Sequence, residues 1–227
     1  MDINWGIEKR KTMDSDLNKF SDLNKFSDLN KLPLKRRKLF KVENKMIYKV
    51  DTEIHFTENI NKSTIEIIIK LITKIINKHH EKYKNSKEKL NISYIVDSPG
   101  GCVTSILKFV DFITLVKKKY PYVEFTSIIT GLVASAGTIM CIVADHRFMT
   151  PHAHAMIHEL SSGNSGKYTH MMSYTDFLSS LHENLLQIYL NKCDKTKDEL
   201  EHLLKTETWF SAKAYLDNGF VEKILNI

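Results

Sequence analysis

The stretch Gly131-Leu132-Val133-Ala134-Ser135-Ala136-Gly137 follows an apolar run, Tyr122 to Ile129, and opens a segment of small residues. The run is rich in β-branched and aromatic residues, which predicts a strand that Gly131 breaks. The small residues after it predict a helix that begins near Ala134. A serine at a helix start is usually only a cap. However, a nucleophilic serine also needs neighbours with small side chains, as Ser135 has here, because a substrate backbone must approach its Oγ.

A second glycine-marked turn, Ser98-Pro99-Gly100-Gly101, lies upstream. It comes after Asp97 and a buried-looking strand, Ile92 to Val96, and a helix to about Lys118 follows it. Paired glycines let the backbone turn sharply and present bare N–H groups to a nearby ligand. A Gly-Gly turn alone is usually only a turn. This motif therefore indicates a functional site only in combination with the segment around Ser135.

Strands and helices are predicted to alternate along the rest of the chain, which indicates an α/β domain with largely parallel strands. A capping box, Ser63 with Glu66, predicts a helix from Ser63 to about Lys78, and a second box, Thr196 with Glu199, opens another helix. The remaining elements are a strand from Met46 to Thr57, short strands around Phe148 and Met156, and helices over Thr169–Lys192 and Ser211–Asn218, the last ended by Gly219.

The first 44 residues differ from the folded part, which is expected over residues 45–227. Ser15 to Leu32 repeats a six-residue unit as SDLNKF, SDLNKF and SDLNKL. A period of six fits a 3.6-residue helix poorly, so a low-complexity, disordered tail is expected. Two alternatives stay open: a docking tail with Leu17, Phe20, Leu23 and Phe26 as contact points, and a nuclear address in the basic run Pro33 to Lys38.

Composition narrows the function classes. The net charge is +6, but the lysines are spread widely, and without a motif this argues against a dedicated nucleic-acid function. Three cysteines, Cys102, Cys141 and Cys193, have no paired spacing, which indicates free thiols in a reducing compartment, with the cytoplasm as the expected location. No apolar run of about 18 residues occurs, so a soluble protein without a membrane helix is expected.

Histidines are the next candidates for chemistry. His152, His154 and His158 fall in one strand-like segment and would point to the same face. No cysteine or carboxylate stands at a typical ligand spacing from them, so no metal site and no cofactor are expected.

The combination of motifs resembles the ClpP peptidase family. Four elements occur in the order of that family: SPGG, then G-x-x-A-S-x-G, then Met156-Ile157-His158, then Trp209-Phe210-Ser211-Ala212 before a short helix and GFVEKIL. The likeness covers about Met46 to Ile227. It implies a ClpP/crotonase-like spiral of β-β-α units with a protruding strand-helix handle, and a serine endopeptidase activity on unfolded polypeptides or peptides.

Residue by residue, the resemblance implies that Ser135 is the nucleophile and His158 the general base. The oxyanion donors would be the backbone N–H groups of Gly101 and Ala136. Where the family has an orienting aspartate, this chain has Glu207, and Ser-His-Glu triads do occur in other folds. Asp194 and Asp198 are the alternative acids.

The family likeness also implies partners and alternatives. It implies a homo-oligomeric ring of seven subunits, often two rings face to face, and a separate AAA+ unfoldase, since the chain has no G-x-x-x-x-G-K-[ST] motif. Several positions depart from the family pattern: Asp97 replaces Asn, Glu159-Leu160 replaces Gln-Pro, and Lys167 and His170 stand in the handle. Three alternatives therefore remain: an inactive scaffold subunit, a crotonase-type acyl-CoA enzyme and a membrane-linked Ser-Lys peptidase.

Overall fold

The structure is a computed structural model, and it describes residues 46–83 and 88–226. These residues contain eight strands and six helices. The predicted tail over residues 1–44 lies outside these residues. The α/β class predicted from the sequence is confirmed. In chain order the elements are β1 (Ile47–Val50), β2 (Glu53–Phe56), α1 (Lys62–Lys82), β3 (Leu90–Ser98), α2 (Val103–Lys119), β4 (Val123–Ala134), α3 (Ala136–Ile142), β5 (His146–Met149), β6 (His154–Ile157), α4 (Tyr168–Leu190), α5 (Lys197–Lys205), β7 (Thr208–Ser211), α6 (Ala212–Asp217) and β8 (Lys223–Ile224).

The strands form one branched sheet. Its main path runs β1-β2-β3-β4-β5-β8, and a side branch pairs β4 with β6 and β6 with β7. The ladders β1–β2 and β6–β7 are antiparallel, and all the others are parallel. β3 and β4 lie at the centre, and their buried apolar residues form the core together with helices α1, α2 and α3.

β4 is longer than the sequence predicts, because Gly131 does not break it. The strand continues to Ala134, and Gly131 adopts a positive φ of 60° inside it. Asp97 explains the continuation, since its carboxylate accepts the Leu132 N–H at 3.1 Å at this point. Before Gly131, β4 pairs with β5, and after it β4 pairs with β6. The strand therefore changes neighbour at the glycine and carries its last residues into the side branch.

The predicted single strand from Met46 to Thr57 is also wrong. The segment forms a hairpin of β1 and β2, and Asp51 turns the chain with a φ of 49°. Aspartate tolerates this left-handed conformation better than most residues, because its short side chain can satisfy nearby backbone groups. β2 then joins the sheet beside β3.

Helix α1 packs an isoleucine face on the sheet. Ile65, Ile68 and Ile72 are fully buried, as their helical spacing predicts. The predicted cap, Ser63 with Glu66, is wrong: the capping box joins Asn61 and Thr64, and Asn61 Oδ1 accepts the Thr64 N–H at 3.1 Å. Asn61 provides the cap because it lies one residue before the helix, where a side-chain oxygen reaches the free N–H groups of the first turn.

The C-terminal helices follow the sequence prediction more closely. Thr196 and Glu199 form the capping box of α5, and α6 begins after Ser211 and ends before Gly219, whose φ is 76°. α4 buries only residues in its second half, and its first half is exposed. The expected handle strand is absent from the single chain, since residues 158–167 form no strand. This part of the chain therefore consists of a connection without regular secondary structure and the exposed start of α4.

Candidate active site

Ser135 sits in a strained turn between β4 and α3. Its φ of 53° and ψ of −126° are rare for a residue with a side chain, and such a conformation costs about 1–3 kcal/mol. Backbone hydrogen bonds hold it there: the Ser135 N–H donates to the Met156 carbonyl at 2.9 Å, and the Ser135 carbonyl accepts the Thr138 N–H at 3.0 Å. The turn directs the half-buried serine away from the strand axis, as an accessible nucleophile requires.

The turn Ser98-Pro99-Gly100-Gly101 lies directly against this serine. A Cβ placed on Gly100 would come within 2.8 Å of Ser135 Cβ, so only glycine fits there. Ser98 fixes the turn, because its Oγ donates to the Glu58 carbonyl at 2.6 Å and accepts the Gly100 N–H at 3.2 Å. The two glycine-marked motifs that the sequence singled out are thus brought together.

The N–H groups of Gly101 and Ala136 are both available for a ligand. Gly101 forms a parallel bridge with Ile60, in which the Gly100 carbonyl and the Cys102 N–H make the hydrogen bonds to Ile60. The Gly101 N–H points away from that bridge. Ala136 is the first residue of α3, where helical N–H groups have no intrahelical partner. Within residues 46–83 and 88–226, neither N–H donates a hydrogen bond.

His158 reaches the same place along the neighbouring strand. β4 and β6 are parallel, and Ala134 pairs with Met156. Ser135 follows directly after Ala134, and His158 follows two residues after Met156. Both side chains therefore leave the sheet at the carboxyl ends of adjacent parallel strands. The His158 side chain is half-buried and makes no hydrogen bond with any residue the structure describes.

Glu207 lies just outside the ladder that ends next to His158, and the two side chains are not bonded. β6 and β7 are antiparallel, and their last pair is Ile157 with Thr208, so His158 and Glu207 are the residues that flank this pair. The φ of Glu207 is 48°, which takes its side chain out of the strand alternation, and the carboxylate is exposed. In the described ranges no hydrogen bond connects Ser135, His158 and Glu207. The fallback acids Asp194 and Asp198 are exposed too and lie outside the pocket.

Ser135 and His158 line one pocket with a volume of about 240 Å³. Gly101 and Ala136 line it too, so all four groups that the resemblance assigns to nucleophile, base and oxyanion donors border one cavity. The wall is mostly apolar, and it also carries Glu159 and His182. The complete lining comprises Pro99, Gly101, Val103, Ile106, Ser135, Ala136, Ile139, Met156, His158, Glu159, Leu160, Ser161, His182, Leu185, Tyr189 and Leu204.

Two departures from the family pattern have clear positions. Asp97 lies next to Gly131, and its carboxylate binds the Leu132 N–H on the strand before the nucleophile. Glu159 takes its place on the pocket wall, and its N–H donates to the Leu204 carbonyl at 2.9 Å. The handle residues Lys167 and His170 are exposed.

Residues that the sequence analysis missed lie behind the serine. Thr138 and Tyr189 are buried, and their hydroxyl groups are hydrogen-bonded to each other. Thr138 falls one turn after Ser135, where a polar side chain among small and apolar residues was the available signal. Tyr189 is 51 residues further along the chain, so only the fold brings it to the site.

Metal and membrane features are absent from the part of the chain that the structure covers. His152 and His154 are exposed, and no group of three His, Cys, Asp or Glu side chains within residues 46–83 and 88–226 could hold a metal ion. None of the helices in these ranges has the length and hydropathy needed to cross a membrane.

Comparison with known proteins identifies the family of the chain. The sequence model of the Clp protease family matches residues 39–227. ATP-dependent Clp protease proteolytic subunit 1 of Protochlamydia amoebophila is 30% identical over 139 residues, which cover 60% of this chain and 65% of that protein. The subunit of the same name from Chlamydia trachomatis is 28% identical over 138 residues, which cover 59% of this chain and 69% of that protein. The chain belongs to the Clp protease family.

Proposed function

We propose that this chain is a serine endopeptidase of the Clp proteolytic type. One observation carries the proposal: Ser135 and His158 leave adjacent parallel strands at the same edge of the sheet and line one pocket with the Gly101 and Ala136 backbone. A nucleophile, a base and a pair of free N–H groups around one cavity are the components of acyl transfer.

The reaction assigns a role to each group. His158 takes the proton of Ser135 Oγ as the oxygen attacks the scissile carbonyl of a peptide. The N–H groups of Gly101 and Ala136 hold the resulting oxyanion, and loss of one such donor typically lowers the rate by about 10²–10³. His158 then gives its proton to the leaving amine, and water, activated by the same base, releases the acyl group.

Substrates and partners follow from the family. The relatives are named as proteolytic subunits of an ATP-dependent protease. We propose that this chain cleaves unfolded polypeptides or peptides, that it assembles into a heptameric ring or a double ring, and that an AAA+ unfoldase supplies its substrates. The mostly apolar pocket wall supports a preference for apolar side chains beside the cleaved bond.

A second candidate is a non-catalytic subunit of such an assembly. The observation that favours it is the open triad, since Glu207 is exposed and no hydrogen bond joins it to His158 within the residues described. Catalytic hydrogen bonds are often long in ligand-free enzymes and tighten only when substrate binds, so the open geometry is compatible with both candidates. Family membership gives no support to the acyl-CoA enzyme.

Labelling with a fluorophosphonate probe separates the two candidates. Purified protein, shown by light scattering to be assembled, is treated with the probe beside Ser135→Ala and His158→Ala. We expect labelling of the wild type, none in Ser135→Ala and much less in His158→Ala. An assembled wild-type sample that stays unlabelled would make the non-catalytic subunit the better assignment.

A further inference from the structure

A pair of buried hydroxyl groups supports the serine turn from behind. Thr138 Oγ1 donates to the Ser135 carbonyl at 2.5 Å, and Tyr189 Oη lies 2.6 Å from Thr138 Oγ1. A threonine hydroxyl has one proton to donate. Since that proton goes to Ser135, the Tyr189 hydroxyl must donate to Thr138. The result is a directed chain of hydrogen bonds from Tyr189 through Thr138 to the backbone of Ser135.

The carbonyl at the end of this chain belongs to the same peptide unit as the Ala136 N–H. A trans peptide is planar, and its C=O and N–H point in opposite directions. Fixing the direction of the Ser135 carbonyl therefore fixes the direction of the Ala136 N–H. Hydrogen bonds to a carbonyl also polarise the peptide unit, which strengthens the N–H as a donor.

Both side chains have surroundings that suit this task. Thr138 is fully buried, and Tyr189 is 3% exposed, so water does not compete for their hydroxyl groups. Burial raises the pKa of Tyr189 above its ordinary value, so the hydroxyl stays protonated. The Tyr189 ring packs edge-on against Phe220 with ring centroids 6.0 Å apart, which fixes its orientation.

The hydrogen bond of Tyr189 is not a general consequence of burying a tyrosine in this fold. Within the ranges that the structure describes, the buried hydroxyl groups of Tyr94, Tyr122 and Tyr215 have no hydrogen-bond partner. Tyr215 is the closest match to Tyr189, because both are at least 97% buried and both pack on Phe220. Tyr215 therefore serves as the matched control for loss of the Tyr189 hydroxyl.

We propose that Thr138 and Tyr189 are positioning residues that hold the Ala136 N–H in the direction needed to stabilise an oxyanion. The inference rests on the proposed function, because it assigns a role to groups behind the same site. Neither residue touches the reacting atoms: Thr138 acts through the Ser135 carbonyl, and Tyr189 acts through Thr138. Tyr189 also lines the pocket.

Kinetics of the full-length protein give the first test. Tyr189→Phe removes only the hydroxyl, and Thr138→Val replaces the hydroxyl by a methyl group. With a fluorogenic peptide we expect kcat to fall about tenfold in Tyr189→Phe, which loses one hydrogen bond, and at least as much in Thr138→Val, which loses two, while KM stays within about twofold. Thr138→Ser keeps the hydroxyl and should retain most of kcat, and Tyr215→Phe should behave as the wild type.

A tetrahedral inhibitor gives a readout that a merely structural role would not move. A peptide boronic acid forms an adduct with the serine, and one adduct oxygen takes the place of the oxyanion. In Tyr189→Phe its inhibition constant should rise about as much as kcat falls, because both depend on the same N–H. Binding of the corresponding peptide product should not change. If Tyr189→Phe alters neither kcat nor the inhibition constant, or matches Tyr215→Phe in both, the proposal is wrong.

An activity-independent measurement separates this proposal from the proposed function. Protein labelled with ¹³C-carbonyl serine and ¹⁵N-alanine gives signals only from Ser–Ala pairs, and the sequence contains two, Ser135–Ala136 and Ser211–Ala212. Tyr189→Phe should shift the Ala136 amide signal and leave that of Ala212 in place. If the Ala136 signal does not move, the proposed role of Thr138 and Tyr189 is wrong, even if the wild type reacts with fluorophosphonate. If the Ala136 signal shifts but the wild type does not react with fluorophosphonate, the chain of hydrogen bonds is supported and the proposed peptidase activity is refuted.

Discussion

Glu207 and His158 flank the last pair of the ladder between β6 and β7: His158 follows Ile157, and Glu207 precedes its partner Thr208. The left-handed φ of 48° at Glu207 turns the carboxylate towards solvent. For a residue with a Cβ this left-handed conformation costs about 1–2 kcal/mol relative to the right-handed helical region. Glu207 is thus close to His158 along the two strands, but its side chain is not bonded to the histidine.

The first prediction concerns this acid. We expect Glu207→Gln to lower kcat on a fluorogenic peptide by about 10²–10⁴, because a neutral amide neither holds the imidazole tautomer nor stabilises the imidazolium. Glu207→Asp should keep part of the activity. Glu201→Gln, an exposed change on α5, is the matched control. Wild-type kcat in Glu207→Gln would show that another group orients His158.

The second prediction concerns the turn beside the serine. A Cβ on Gly101 would lie 2.2 Å from the Ile60 carbonyl oxygen, and the φ of Gly101 is 142°. We therefore expect Gly101→Ala to abolish fluorophosphonate labelling and to lower Tm, since either the bridge to Ile60 or the turn must give way. Gly163→Ala is the control, because nothing lies within 4 Å of its Cβ position. Equal Tm and labelling in the two variants would contradict the close contact.

The third prediction concerns the thiols. Hydrogen bonds from Ser105 and Thr104 lower the pKa of the exposed Cys102, whereas burial raises the pKa values of Cys141 and Cys193. Thiolate is the reactive form, so iodoacetamide should modify Cys102 first, with a rate that rises at a lower pH than for an ordinary thiol. Mass spectrometry of timed samples checks the order. Faster modification of Cys141 would contradict the assigned burial.

The same modification should affect the site, because Cys102 directly follows Gly101. An adduct on Cys102 crowds the Gly101 backbone, and we expect fluorophosphonate labelling to fall in parallel with alkylation. Cys102→Ser should keep its labelling after iodoacetamide treatment. Loss of labelling in that variant would assign the effect to another thiol.

The fourth prediction concerns the core. Ile67 and Ile68 are neighbours on α1, but Ile67 is 42% exposed and Ile68 is fully buried. We expect Ile68→Ala to lower the free energy of unfolding by about 2–5 kcal/mol, because it leaves a cavity under the helix. Ile67→Ala should lower it far less. Urea unfolding at matched protein concentration measures both free energies. A larger loss in Ile67→Ala than in Ile68→Ala would contradict the packing of Ile68 against the sheet.

The sequence predicts most of the elements because they depend on local patterns, and the family resemblance singles out Ser135 and His158 as candidates. The isoleucine spacing of α1 and the strand-turn-helix around Ser135 are encoded in adjacent residues. What it mispredicts depends on contacts between distant residues. Gly131 is read as a strand break because its partner Asp97, 34 positions earlier, is not visible in a local window. The hairpin at Asp51 is missed for a related reason, since an aspartate gives a weaker turn signal than glycine.

The site shows the same division. Motifs identify Ser135 and His158, and the fold brings both to one pocket. The orientation of Glu207 depends on a backbone angle that its neighbours in sequence do not specify. Tyr189 reaches Thr138 only after α4 has packed against α3, so no spacing in the sequence predicts that pair.

Asp97 and Gly131 restrict each other's future substitutions. A Cβ at position 131 would stand 2.8 Å from the Asp97 carboxylate, and that carboxylate is bound to the Leu132 N–H where β4 changes neighbours. A larger residue at 131 therefore displaces the aspartate, and a smaller residue at 97 leaves the Leu132 N–H without its acceptor. The two positions are therefore expected to change together: a smaller residue at 97 makes room for a side chain at 131, and either change made first carries its own cost in stability.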